Sequence, residues 1–153
     1  MKKLILLLTT ALCLLLSGCG NAFAKEQYGD DQKIAASDHY DAKKLKTTET
    51  TASCSLNASK LDGWTTVWKC SSDEDKAVAA WVSIGLSKGT AKVVHVDGSG
   101  NVSTLLEYKS EGDSGVTGKG SADRVIKLSK GENKIKVVGY DCETAEVEIK
   151  INL

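Results

Sequence analysis

No proline occurs in this chain, and among 153 residues there is one Phe and one Met. Without proline there is no proline-rich spacer and no X–Pro isomerisation. With a single Phe, a core must draw large side chains from elsewhere, and Trp64 and Trp68 are candidates for it. Basic charge is not in excess: 20 Lys and Arg stand against 20 Asp and Glu. That balance argues against nucleic acid or an anionic bilayer surface as partner, because both require a basic patch. Only His39 and His95 are available as imidazole bases or ligands. Beyond the first sixteen residues no apolar run is sustained, and no segment carries a convincing helical period.

The first residues are the exception. Met1-Lys2-Lys3 forms a positive head, and Leu4 to Leu16 is a nearly uninterrupted apolar run. A spanning helix needs about 20 apolar residues, so this run has the layout of an export signal rather than a membrane span. Leu16-Ser17-Gly18-Cys19 follows, and it resembles the lipobox of bacterial lipoproteins. The resemblance implies that residues 1–18 are removed and that the thiol of Cys19 receives a diacylglyceryl group. The partner it implies is the membrane, reached through the lipid at the extracytoplasmic face, where two acyl chains hold far better than one. Cleavage of an ordinary signal after Ala22 or Ala24 is the alternative. Loss of Lys2 and Lys3 leaves the mature chain slightly acidic.

Residues 19–46 alternate in charge, carry little apolar content and show no sustained period, which reads as a lipid-anchored flexible tether with a reach of about 30 Å. The alternative for part of it is a short helix around Ile34 to Leu45, whose apolar face, from Tyr40 and Leu45, is thin. His39, between Asp38 and Asp41, falls in the tether and reads as solvated rather than metal-binding.

From Thr47 to Leu153 short β-rich runs recur about every ten residues between Gly, Asp, Ser and Asn. Expected strands are Thr50–Lys60, Gly63–Ser71, Ala77–Leu86, Thr90–Asp97, Asn101–Tyr108, Asp123–Leu128, Asn133–Tyr140 and Glu146–Leu153. In the last of these, Val147, Ile149, Ile151 and Leu153 face one way and Glu148, Lys150 and Asn152 the other. The expectation is an all-β domain: an antiparallel two-sheet β-sandwich of about eight strands, jelly-roll or Ig-like, over 47–153.

Four segments follow one another in the second half: Leu86-Ser87-Lys88-Gly89, Val93 to Gly98, Ile126 to Gly131 and Ile135 to Tyr140. Their succession resembles small Gram-positive lipoproteins of unassigned function with a C-terminal jelly-roll-like domain. It is more loosely similar to jelly-roll sandwiches appended to secreted bacterial peptidases and glycosidases. Over Ala77 to Leu153 the resemblance implies a fold and a location, and it transfers no functional residue.

No catalytic residue is assigned. Gly112-Asp113-Ser114-Gly115 matches the nucleophile segment of trypsin-like proteases, but Val116 stands where that family has glycine, and of the two histidines His39 falls in the tether and His95 within a strand. Gly118-Lys119-Gly120-Ser121 lacks the phosphate-loop frame and reads as a loop. Asp97, Ser99 and Asn101 place oxygens at every second position as in a calcium loop, yet the twelfth position is Tyr108, so a turn is the better reading. No metal and no cofactor is assigned.

Candidate ligand-binding residues are Trp81, Trp64, Trp68, Asp97 and Asn101. Trp64 and Trp68, four apart on a strand, are expected to share a face with Thr66 and Cys70. Exposed, the pair would stack on sugar rings; buried, it would supply the core. Val78, Ala80, Val82 and Ile84 alternate as one face, which puts Trp81 on the other. The glycine-rich stretch between Tyr108 and Asp123, with the Asp97–Asn101 turn beside it, is the expected place for a ligand. Leu61-Asp62-Gly63 suits a three-residue hairpin loop, and in that register Cys54 faces Cys70 as a disulfide pair, with Cys142 free. Together these features point to a membrane-anchored binding or adhesion module for a glycan or an envelope protein. The alternative is an envelope-maintenance lipoprotein without a ligand site.

Overall fold

Strands account for most of the computed structural model, which describes residues 25–110 and 116–153. Eight strands follow in order: β1 (His39–Lys43), β2 (Lys46–Glu49), β3 (Ser53–Ser72), β4 (Lys76–Leu86), β5 (Lys88–Val96), β6 (Val102–Lys109), β7 (Gly118–Leu128) and β8 (Gly131–Asn152). A short helix, α1 (Asp31–Ala36), precedes them. All pairings are antiparallel.

The long strands β3 and β8 pair from Ser53↔Lys150 to Ser72↔Gly131 and belong to both layers of a two-layer antiparallel sandwich. The first half of β3 and the second half of β8 sit between β2 on one side and β4 and β7 on the other. The remaining halves sit between β1 and the β5–β6 pair. Pairing slips between Leu61 and Gly63, where Gly63 takes φ 99°, and Asp141 and Thr144 of β8 also have positive φ. These irregularities let both strands pass from one layer to the other. Leu56, Val82, Ile84 and Ile149 of the first layer meet Trp68, Val93, Ile135 and Val137 of the second in one core. The expectation of an all-β antiparallel sandwich is met.

The partition of the strands differs from the expected one. Thr50–Lys60 and Gly63–Ser71 are not a hairpin; they are one strand with a bulge, as are Asn133–Tyr140 and Glu146–Leu153. Asp62, buried at the bulge, accepts the Asp141 N–H at 2.7 Å and pairs with Lys60 at 3.1 Å. A disulfide between Cys54 and Cys70 is therefore ruled out in this fold. The two lie sixteen residues apart on a single strand, opposite Ile149 and Asn133, and Cys54, Cys70 and Cys142 are all free thiols.

Burial pushes the Cys54 thiol up to about 12, helped by the charge of Glu49, and burial does the same to Cys142. Since the thiolate is the reactive form, Cys70, half-buried, should be alkylated first in the native protein. Peptide mapping after brief iodoacetamide treatment should find Cys54 and Cys142 modified only once denaturant is added. Modification of all three at one rate would contradict this packing.

The segment expected as tether is also folded from Lys25 onward. Asp30 caps α1, its carboxylate accepting the Lys33 N–H at 3.1 Å, and Ile34 is fully buried against Trp64, Val94 and Val138 on the outer face of the second layer. Lys136, 1% exposed, reaches out of that sheet to Asp38 Oδ1 at 3.0 Å and donates to the Ser37 carbonyl at 2.9 Å. Thr66 donates to the same carboxylate from its N–H and its hydroxyl. Burial opposes ionisation of Asp38, yet the bonds from Thr66 and Lys136 outweigh it and hold the carboxyl below its usual range. β1 then pairs with β3, placing His39 opposite and against Trp64. One buried isoleucine and one ion pair escaped a reading based on mean polarity.

Candidate functional site

Trp81 is where the alternation of β4 puts it. Val78, Ala80, Val82 and Ile84 point into the core, and Trp81 and Ser83 lie half-buried on the outer face of the first layer. Pairing brings five strands side by side there. Thr48, Ser55, Glu148, Ser83 and Ser121 form one row across β2, β3, β8, β4 and β7. Lys46, Asn57, Glu146, Gly85 and Lys119 form the next. A third row is Ser53, Lys150, Trp81 and Asp123.

This face holds a trough of about 410 Å³ lined by Ser55, Asn57, Ser83, Lys119, Glu146 and Glu148, among others. Its floor is low at Gly85, where an added Cβ would stand 3.2 Å from the Thr117 side chain. Beside it a groove of about 420 Å³ exposes Trp81 with Asp123, Arg124 and Asn152, and Lys150 borders both. The Lys150 ammonium lies 5.1 Å from the Trp81 ring centre, a cation–π contact, and pairs with Glu148 at 3.1 Å. Lys119 pairs with Glu146 at 3.3 Å. The face thus offers hydroxyls, an amide, carboxylates and ammonium groups around one accessible indole.

Other candidates fall elsewhere. Trp64 and Trp68 are 2% and 1% exposed, so neither can meet a ligand ring. They do not share a face: Val67 is an extra residue in β3 between the pairs Thr66↔Lys136 and Trp68↔Ile135. Trp64 consequently packs under α1, donating to the Ser37 carbonyl, while Trp68 enters the main core and donates to that of Thr50.

Asp97 and Asn101 hold their own turn. Asp97 Oδ1 accepts the N–H groups of Ser99 at 2.8 Å and Asn101 at 2.9 Å, and Oδ2 accepts Asn101 Nδ2 at 2.8 Å. The bond from the Asn101 amide leads in holding the Asp97 carboxyl below its usual range. This turn lines a separate recess with Val125 and Lys127 and does not join Trp81. It also lies at the opposite end of β6 from Tyr108.

His95 is buried beside that turn. Asn133 Nδ2 donates to the Ser129 and Gly131 carbonyls, which leaves Oδ1 to accept from His95 Nε2 at 3.1 Å. Burial lowers the imidazole's pKa, partly offset by this bond. The pair fixes the turn after β7.

Gly118-Lys119-Gly120-Ser121 is strand rather than loop, and its glycines admit the Tyr108 ring: a Cβ on Gly120 would lie 2.8 Å from that ring. Cys19 and the Gly112–Gly115 string with Ser114 lie outside the described residues. Among the described residues no cluster of His, Cys, Asp and Glu is arranged to hold a metal ion, and no helix is long and apolar enough to cross a membrane.

Glu146, Glu148, Lys150, Ser55, Asn57, Ser83 and Lys119 were not named as a site from sequence. The outward phase of β8 was visible there, but which strands flank it was not.

No family model matches the chain, and no curated protein matches it. Among solved structures it is similar to a carbohydrate-binding module from Cellvibrio mixtus lichenase 5A in complex with cellotriose (TM-score 0.42, 10% identity, 80% of this chain and 93% of that one). It is also similar to a family 35 carbohydrate-binding module from Clostridium thermocellum (TM-score 0.41, 16% identity, 76% and 93%). Murine APRIL is a further neighbour (TM-score 0.37, 10% identity, 74% and 96%). Likeness at this level says nothing about which residues would hold a ligand.

Proposed function

We propose that the protein is a membrane-anchored, non-catalytic binding module that takes a glycan on the outer face of its first layer. The observation that supports this most is the trough itself: a polar, five-strand floor next to the one tryptophan of three that solvent can reach. Hydroxyl-rich ligands need many donors and acceptors together with an aromatic plane for the apolar face of a ring.

Trp81→Ala should weaken binding to any immobilised polysaccharide that retains the wild type by about tenfold or more. Its Tm should stay within about 2 °C, because the side chain lies outside the core. Ligand should also shift the fluorescence of Trp81 alone, since Trp64 and Trp68 are buried. Retention unchanged in Trp81→Ala would remove this face as the site.

Anchoring through Cys19 rests on the lipobox-like sequence. From Cys19 to the docked chain at Lys25 a fully extended backbone spans about 20 Å, so an anchored domain would be held close to the bilayer instead of on a long tether. Cys19→Ser should release the protein into the soluble fraction and abolish incorporation of labelled palmitate. Persistent membrane association without label in the wild type would contradict the anchor.

A further inference from the structure

Four formal charges line the trough, two of each sign, and each faces its opposite: Lys119 with Glu146 at 3.3 Å and Lys150 with Glu148 at 3.1 Å. Along β8 the outward order Glu146, Glu148, Lys150 sets the two signs side by side, and Lys119 comes in from β7. Within the trough each charge therefore has an opposite charge beside it, while Lys46 and Asp123 stand at the outer edges of the floor. An anionic group drawn to Lys119 or Lys150 meets a carboxylate beside it, and an amine drawn to Glu146 or Glu148 meets an ammonium.

A hydroxyl is treated differently. Each paired ammonium keeps N–H donors beyond the one its partner takes, and each paired carboxylate keeps lone pairs, so donor and acceptor remain adjacent within each pair. Ser55, Ser83 and Asn57 add neutral groups between them. Adjacent donor and acceptor suit a ligand group that both gives and accepts a hydrogen bond.

We infer that the trough selects uncharged, hydroxyl-rich oligosaccharides over uronic-acid or amino-sugar chains, because its own charges cancel in place. The five strands, about 4.8 Å apart, give a floor about 19 Å across, long enough for a chain rather than one ring. The inference rests on the glycan reading above and narrows its ligand class. Its ionic-strength signature lies with the charged chains: with no net charge at the site, screening has little attraction or repulsion to weaken for them.

The test is titration calorimetry on the purified protein with three probe sets of matched length: neutral gluco-, xylo- and manno-oligosaccharides, oligogalacturonates, and chitosan oligomers. Each is run at about 50 mM and about 500 mM NaCl, where the Debye length falls from more than 10 Å to less than 8 Å. A neutral set should bind with a Kd that moves less than about twofold between the salts, and the charged sets about tenfold or more weaker.

Glu148→Gln removes one negative charge and leaves Lys150 without its carboxylate, so this variant should gain oligogalacturonate binding that salt weakens. A charged set bound more tightly than every neutral one would overturn the charge inference and leave the trough as a glycan site. Absence of binding by all three sets would overturn the glycan reading itself and this inference with it. Glu148→Gln with an unaltered preference, at an unaltered Tm, would count against the role given to the charge pairs.

Discussion

Asp38→Ala is expected to cost about 2–3 kcal/mol of stability, less than breaking a fully buried pair because Lys136 is buried but the Asp38 side chain is 39% exposed. Lys136 is 2% exposed at its side chain and would keep only the Ser37 carbonyl, while Thr66 would lose the acceptor of both its N–H and its hydroxyl. The loss should be visible as a shift in denaturant midpoint. It should also change the near-ultraviolet signal of Trp64, whose indole shares the Ser37 carbonyl with Lys136.

Replacing the pair together, as Asp38→Leu with Lys136→Met, should recover much of that loss, because apolar groups of similar size remove the desolvation cost along with the attraction. The pH dependence has a definite sign. The Asp38 carboxyl titrates below its ordinary 3.8 in the folded protein, so its contribution is complete above that value and is lost as the pH falls below it. A change under about 1 kcal/mol for Asp38→Ala would mean that the segment before β1 is not held by this pair.

Gly63→Ala should be at least as disruptive, by about 3 kcal/mol or more, through strain and overpacking together. Gly63 has φ 99°, and an added Cβ would run into the His39 carbonyl oxygen and stand 2.9 Å from Tyr40 Cα. Both contacts are backbone, so no side-chain rotation relieves them. The expected result is displacement of β1, with faster amide exchange over His39–Lys43 than over β4. A variant with wild-type Tm and unchanged exchange at β1 would show that the bulge does not need glycine.

Gly63 also shows where sequence reasoning reached its limit. Asp-Gly between two β-rich runs is a strong hairpin signal, and the left-handed glycine it implies is present. The chain nevertheless continues in the same direction, because β8 supplies a partner of similar length with its own irregularity at Asp141 to Thr144. A turn and a bulge make similar local demands on the backbone. Only the partner strand distinguishes them, and it lies some eighty residues away. The Cys54–Cys70 pairing fell with the hairpin from which it was inferred.

The shared face assigned to Trp64 and Trp68 failed for a related reason. Period-2 alternation holds only while pairing is regular, and the extra Val67 reverses the phase between them. Trp81 has no such irregularity in its strand, and its outward position was legible from Val78, Ala80, Val82 and Ile84 alone.

What the amino-acid sequence determined by itself was local: the strand-rich character from Thr47 onward, the inward phases of β4 and of the second half of β8, the turn at Asp97 and the outward phase of Trp81. These follow from side-chain periodicity and turn chemistry, which act over a few residues. The tertiary structure alone decided that Lys25–Asp38 is docked rather than free, since Ile34 and Asp38 become meaningful only against Trp64, Thr66 and Lys136. It also decided that Ser55, Ser83, Lys119 and Glu148 stand on one floor. They come from four strands whose order in the sheet is set by how two layers close over a common core, and no window along the chain contains that order.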